Sequence, residues 1–383
     1  MKGDRERQPR TVLHLMSRLG VGGVENQLRL VCAHYDRNGF RPLVCCIRGK
    51  EEIGQEIERE GTEVIALGRK DVHGFDPSLV LQIYRILRDR GVDILRTHQY
   101  EAGFYGRLAA LLAGTPVRIP SFHNIYRRRK RHRERVNHVL AHFSDAIVAV
   151  SECVKSEILR HDRIPAEKVR VIYNGIDPAE SQGKVREEQV KPALGLAPQS
   201  RILGTIGRMK IQKGQSFLLE AFAGLRRRMD DLSLLIVGDG PLRSDLQEQA
   251  ETLGIANEVH FVGARRDIYS LLRIMDLFVF PSLWEGMPTT IVEAMAAERA
   301  VVASDIPPIR EIIPSPDLGV LVPPGDAKSL EHALEQTLKD KPRLQRMGKL
   351  AREYATSTFH IRRGVSQYQD LFREIEAAKR RSN

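Results

Sequence analysis

Apolar positions along this chain recur in two alternating rhythms. Short runs rich in Val, Ile and Leu are followed by longer stretches in which apolar residues return every third or fourth position. A strand sends successive side chains to opposite faces, whereas a helix returns to one face every 3.6 residues. The runs Thr11–Met16, Arg41–Ile47, Thr62–Leu67, Asp93–Thr97, Val117–Ser121, Ala146–Val150 and Val169–Ile172 therefore predict strands. Val24–Tyr35, Ser78–Arg90 and Ala102–Ala113 predict helices between them. The rhythm breaks near Asn174, and Asp177 to Ser200 is polar, with Pro178, Gly183, Pro192, Gly195 and Pro198. That composition predicts a connector.

Beyond it the alternation restarts. Arg201–Thr205, Leu232–Val237, Val259–Val262, Leu277–Phe280, Ala300–Ala303 and Gly319–Val322 predict strands. Gln215–Arg228, Pro241–Thr252, Asp267–Met275, Thr289–Ala297 and Ala327–Leu338 predict helices, and the tail from Pro342 reads as all-helical. Alternation of this kind builds parallel sheets crossed by helices. Two such halves predict an N-terminal domain over 1–180, a linker over 181–200, a second domain over 201–355 and a terminal helix over 356–383, with a ligand cleft between the domains.

Length and composition narrow the class. At 383 residues the chain exceeds what one core usually supports. No apolar run reaches the eighteen or so residues of a membrane span, and the polar stretch Met1–Arg10 carries no signal-peptide core. Cys32, Cys45, Cys46 and Cys153 form no C-x-x-C pair, and adjacent Cys45 and Cys46 would point to opposite faces of a strand as core filler. The expected location is the reducing cytoplasm. A net charge of +11 points to an anionic partner: nucleic acid, an anionic membrane surface or a phosphorylated small molecule.

Three loops carry candidate chemistry. Gly20-Val21-Gly22-Gly23-Val24-Glu25 follows the first strand and opens the first helix. Backbone N–H groups there can approach a phosphate closely because glycine adds no bulk. It is not the dinucleotide fingerprint, since Glu25 stands where the third glycine would be and its carboxylate would repel a pyrophosphate. A tight turn is the plain alternative. The matching loop of the second half, Gly207-Arg208-Met209-Lys210-Ile211-Gln212-Lys213-Gly214, places Arg208 and Lys213 where they could converge on a diphosphate. Its alternative is a solvated basic turn. In the third, Pro281 to Ala296, Glu285 and Gly286 occupy a turn at a strand's carboxyl edge, where open α/β sheets bind ligands. Glu293 comes about one helical turn in, among Ile291, Val292, Ala294 and Met295, so its carboxylate needs a specific partner.

Glu285 and Glu293 form an E-x7-E pair, and the stretch from Trp284-Glu285-Gly286-Met287-Pro288 to Glu293-Ala294-Met295-Ala296 resembles the signature of glycosyltransferase family 4. Gly22-Gly23-Val24-Glu25, Ser144 to Ser151, Val171 to Asp177, Gly207-Arg208, Lys213-Gly214, Ile236 to Pro241, Phe261-Val262-Gly263 and Leu321 to Asp326 continue the resemblance in the family's order. It covers roughly residues 11 to 330.

That resemblance implies an α/β fold of the GT-B kind, with two Rossmann-like domains whose parallel sheets face across a cleft and a C-terminal helix returning to the N-terminal domain. By the same resemblance, the N-terminal domain would bind the acceptor and the second domain a UDP- or GDP-sugar. Arg208 and Lys213 would bind the donor diphosphate, with Gly207 in the same loop and Gly22 and Gly23 approaching from the other domain. Glu293 would hold the ribose hydroxyls. Glu285, with Gly286 and Met287, would contact the donor sugar. His123, in Ser121-Phe122-His123-Asn124, matches a family histidine near the transferred sugar, although a lone histidine is more often structural.

The family also implies transfer with retention of anomeric configuration, by same-face attack. No D-x-D motif occurs, so no metal is expected and the cations would take over its role. No cofactor beyond the nucleotide-sugar is expected. Glu298-Arg299-Ala300 and Asp305-Ile306-Pro307-Pro308 depart from the family pattern beside the donor pocket. The acceptor would be a saccharide or a lipid-linked saccharide, in cell-surface polysaccharide or glycolipid synthesis.

Rivals are a nucleotide-sugar epimerase of the same fold, a dehydrogenase disfavoured by the broken fingerprint, and a nucleic-acid binder suggested by charge alone. Seven Lys or Arg residues among the nine positions Arg127–Arg135 suggest instead a peripheral contact with an anionic membrane surface at the inner face of the cytoplasmic membrane. A solvated loop or helix start is the alternative.

Overall fold

A computed structural model describes residues 8–70, 74–125, 131–182 and 187–382. They form two compact units. One joins the described residues up to Asn174 with those from Ile361 onward, and the other takes those of Gly175–His360.

The first unit holds strands β1 (Arg10–Met16), β2 (Phe40–Cys46), β3 (Glu63–Ala66), β4 (Ile94–His98), β5 (Val117–Phe122), β6 (Ile147–Ala149) and β7 (Val169–Val171). The second holds β8 (Arg201–Ile206), β9 (Leu232–Val237), β10 (Val259–Phe261), β11 (Leu277–Phe280), β12 (Ala300–Ser304) and β13 (Val320–Val322). Their orders are β3-β2-β1-β4-β5-β6-β7 and β10-β9-β8-β11-β12-β13, and the pairings are parallel. Chain order reverses between β1 and β4 and again between β8 and β11. Loops leaving the carboxyl ends of those strands therefore surround a crevice in each sheet.

Strand alternation sorts each core. Val12 packs with Leu30 and Val31 and with Val365, Tyr368 and Phe372 of helix Ile361–Ser382, whereas Leu13 and Leu15 join Leu79, Ile83 and Ala109. Cys45 and Cys46 are both fully buried and belong to different clusters, one on each face of β2, as the alternation predicts. All four cysteines are free thiols.

The stretch 181–200 corrects the expectation of a bare connector. It carries helix Glu187–Ala193 beside helix Ile268–Ile274 and belongs to the second unit. Val190 and Leu196 are buried anchors that the surrounding polar and Pro/Gly residues mask in the sequence.

Glu298 ends helix Thr289–Ala296 with φ +63°, a left-handed conformation that favours glycine. Its carboxylate pairs with Arg352 at 3.1 Å. Gly348, on the same helix Lys341–Thr358 as Arg352, packs so closely that a Cβ would collide with the Glu298 carbonyl oxygen. Backbone cannot yield as a side chain can, so Gly348→Ala is expected to destabilise the second unit by about 2 kcal/mol, the usual scale of overpacking. Calorimetry should show a lowered melting transition, and an unchanged one would mean that the helix shifts freely.

Candidate active site

In the second unit, β8 runs into the loop Gly207–Gly214, which is held from two sides. Gly207 N–H donates to Val237 O and Met209 N–H to Asp239 O, both at 2.9 Å. A Cβ on Gly238 or Gly240 would strike the backbone of Gly207 or Met209. From the other side, Leu283 N–H donates to Gln212 O at 2.8 Å and Gln212 Nε2 to Trp284 O at 2.7 Å. Gly214, at φ +64°, lies where a Cβ would meet Pro281 O. The loop is thus fixed against the segment Pro281–Pro288.

That fixation orients charge. Lys213 Nζ lies 2.6 Å from Glu285 Oε1 and 4.9 Å from the Phe280 ring centroid. Glu285 is only 6% exposed, so its carboxylate is tied to the ammonium rather than to water. Arg208 is exposed and has no ion-pair partner among the described residues. Between them, Lys210 has its pKa lowered by partial burial and then by repulsion from Arg208 and Lys213. Three cations thus crowd one loop against the single carboxylate of Glu285, an excess that an anion would relieve. Lys210 lies inside the loop that the sequence singles out, but nothing local marks its part in that excess.

Gly286 and Met287 are buried in the same turn, and helix Thr289–Ala296 comes next. Its Glu293 is half-buried, and no described residue donates a hydrogen bond or ion pair to its carboxylate. Burial, and then repulsion from Glu180, pushes its pKa up to about 7. Only contact in space reveals Glu180, since more than a hundred residues separate the two in sequence.

The folded state therefore binds the Glu293 proton more tightly than the unfolded chain, and ionisation opposes folding as pH rises from about 4.5 to 7. Glu293→Gln is expected to melt with the wild type near pH 4.5 and above it at pH 8, by at most about 3 kcal/mol. Parallel melting curves across that range would contradict it.

The first unit carries the remaining candidates. Gly22 precedes helix Gly23–Ala33 in extended conformation, and a Cβ there would meet the Glu25 carboxylate. Glu25 accepts from Gln99 Nε2 at 3.4 Å, and burial raises its pKa, which lessens the repulsion expected from the sequence. Gln99 itself has φ +68° and starts helix Tyr100–Ala113. A non-glycine residue held in that region marks backbone strain of the kind found at binding sites.

His123 is 8% exposed and belongs to a buried line of imidazoles. His123 Nε2 lies 3.0 Å from His98 Nδ1, His98 Nε2 lies 3.2 Å from His14 Nδ1, and His14 Nε2 lies 3.1 Å from the Tyr35 hydroxyl. Burial and the nearby Arg96 charge lower all three histidine pKa values, that of His123 to about 3. They are neutral at physiological pH. His123 also lines a cavity of about 100 Å³ with Tyr100, Arg107 and Asn137.

Arg127–Lys130 of the basic segment lie outside the described residues. Arg131 and Arg135 are exposed at the start of helix Arg131–His142, whereas Arg133 stacks 4.5 Å from the Tyr100 ring centroid. Among the described cations of the segment, Arg133 is therefore engaged within the unit.

Two family models match adjoining parts of the chain. One, described as Glycosyltransferase Family 4, matches residues 21–180, and another, described as Glycosyl transferases group 1, matches 186–354. A UDP-Gal:alpha-D-GlcNAc-diphosphoundecaprenol alpha-1,3-galactosyltransferase of Escherichia coli is 28% identical over 79% of this chain and 81% of its own. The lipopolysaccharide core biosynthesis mannosyltransferase LpsB of Rhizobium meliloti is 33% identical over 45% of this chain and 52% of its own. Among solved structures, Anabaena Alr3699/HepE in complex with UDP and glucose superposes with a TM-score of 0.84 at 23% identity, covering 94% of this chain and 98% of that one. At that identity the likeness concerns the fold.

Proposed function

We propose that this chain, which belongs to the family 4 glycosyltransferases of GT-B fold, moves a sugar from a UDP- or GDP-sugar to a saccharide or lipid-linked acceptor with retention of configuration. The observation that carries the nucleotide-sugar reading is the crowding of Arg208, Lys210 and Lys213 on a loop clamped at the carboxyl edge of the sheet. Such a loop meets a diphosphate with charge already in place, and its attraction grows as the diphosphate departs. Glu293, a carboxylate without a protein donor among the described residues, suits the two ribose hydroxyls.

In the reaction the acceptor hydroxyl bonds to the anomeric carbon on the face from which the diphosphate leaves. The carbon–oxygen bond to the diphosphate breaks, and the acceptor proton passes to the departing phosphate oxygen. Arg208 and Lys213 stabilise the charge that develops there, in place of a metal. Glu285 holds Lys213 and, with Gly286 and Met287, faces the donor sugar. Gly22 and Gly23 leave room for the phosphates, and His123 bonds a sugar oxygen.

A lipid-linked acceptor is supported by the Escherichia coli relative, whose named acceptor is a diphosphoundecaprenol sugar. Among the described residues no helix is long and apolar enough to cross a membrane. Residues Arg127–Arg135 would hold the enzyme reversibly on an anionic inner leaflet, at the site of such an acceptor.

A panel of UDP- and GDP-sugars tested by thermal shift identifies the donor, because a ligand at a hundred times its dissociation constant adds about 2.7 kcal/mol. Transfer from that donor is then measured in excess EDTA, with the product anomer assigned by NMR. Stabilisation by no nucleotide-sugar would sink the reading. Loss of activity in EDTA with recovery on manganese would replace the cation clamp by a metal.

A further inference from the structure

The line from Tyr35 through His14 and His98 to His123 has a direction. Of its six ring nitrogens, five have a partner within the line, and His123 Nδ1 alone is buried without one. Each imidazole is neutral and carries a single N–H, so one choice of donor at either end determines every proton between. In one direction each Nε2 carries the proton, and the Tyr35 O–H is left in the core with no acceptor. In the other, the Tyr35 O–H donates to His14 Nε2, each Nδ1 carries the proton, and the one unsatisfied donor is the buried Nδ1–H of His123, the residue of the line that borders the cavity. A ligand that enters the cavity borders the residue carrying that group, whereas no other described residue offers the phenol an acceptor.

Charge favours the same direction. Arg96 lies on β4 two residues before His98, beside His14 on β1. It is 1% exposed, its guanidinium stacks 3.5 Å from the Tyr368 ring centroid, and Nη2 donates to Ser121 Oγ at 3.2 Å. Its field acts on the Tyr35 oxygen. A fixed cation attracts the lone pairs of that oxygen and turns the hydroxyl proton away, toward His14.

We infer that Tyr35, His14 and His98 are positioning residues that lock His123 as a neutral Nδ1–H donor, aimed at a saccharide oxygen in its cavity and unable to serve as a base. The inference takes its ligand class from the glycosyltransferase reading, but the tautomer itself does not depend on it. His123 would then orient the sugar through one N–H bond, and no proton would pass through the line during transfer. That agrees with delivery of the acceptor proton to the departing phosphate.

The test is a long-range 1H–15N spectrum of the full chain labelled at histidine, taken near pH 7.5. Loss of one signal in H123Q and another in H98Q assigns the two rings. Neutral imidazoles with the proton on Nδ1 at both positions are expected, against the Nε2–H form that free imidazole side chains prefer. Tyr35→Phe keeps the ring and removes the donor, so His98 and His123 should move toward Nε2–H. Transfer should fall roughly tenfold, less than the hundredfold typical of removing a donor outright, with bare UDP or GDP affinity unchanged. Nε2–H at either ring in the wild type overturns the inference, as does a Tyr35→Phe spectrum with unaltered tautomers. If Tyr35→Phe fails to fold, the wild-type spectrum decides alone. If no sugar is transferred at all, the tautomers still stand or fall on that spectrum.

Discussion

Lys213→Ala is expected to lower sugar transfer a hundredfold or more, and Arg208→Ala to do so by a similar factor. Removing one group that stabilises transition-state charge typically costs about 3–4 kcal/mol. The two variants separate chemistry from folding. Lys213 is bound to the nearly buried Glu285 at 2.6 Å, so its removal strands a carboxylate and should also lower the melting temperature. Arg208 is exposed and unpaired among the described residues, so its loss should leave melting unchanged. Initial rates with the donor identified by thermal shift, beside melting curves of both variants, check this. Near-wild-type turnover in Arg208→Ala would remove the cation clamp.

Glu285→Gln should have an effect nearly as large and of a different kind. Glutamine keeps the shape and can still accept from Lys213, but the negative charge beside the diphosphate site is gone. Affinity for bare UDP or GDP should hold or rise, because the three cations of the loop lose their only compensating carboxylate among the described residues. Transfer should nevertheless fall by roughly two orders of magnitude, since a neutral amide holds the Lys213 ammonium less firmly than a carboxylate and the sugar loses a charged contact realised during the reaction. Glu293→Gln should do the reverse, weakening the bare nucleotide. Calorimetric titration with UDP and GDP beside initial rates separates them. If Glu285→Gln loses nucleotide affinity and transfer in proportion, Glu285 belongs to nucleotide binding and the two glutamates exchange roles.

Much of the fold is legible because parallel strands buried on both faces read as short continuous apolar runs, set off from the helical period between them. Each of the thirteen strands among the described residues lies within a residue or two of its expected run, as in Leu232–Val237 and Leu277–Phe280. Helices Glu52–Arg59 and Glu152–His161 escape the pattern because their buried sides are narrow: Ile53, Gly54 and Ile57 in one, Val154 and Ile158 in the other. Helix Glu187–Ala193 is hidden by its polar and proline content, which speaks of a loop unless the burial of Val190 is known.

The site divides along the same line. Local motifs announce residues whose chemistry needs neighbours in sequence, and so the loop Gly207–Gly214 and the pair Glu285 and Glu293 are readable. What those residues touch is not. That Lys213 pairs with Glu285, that Glu180 bears on Glu293, and that His123 ends a line of histidines from β1 and β4 depend on strands and loops brought together across long stretches of chain. By itself the sequence determined the strand and helix rhythm, the two α/β halves and the residue types at each sheet edge, because these rest on short-range periodicity and backbone preference. The tertiary structure alone decided charge pairing, burial and protonation, because those depend on through-space distance and on exclusion of water, which no stretch of chain determines for itself.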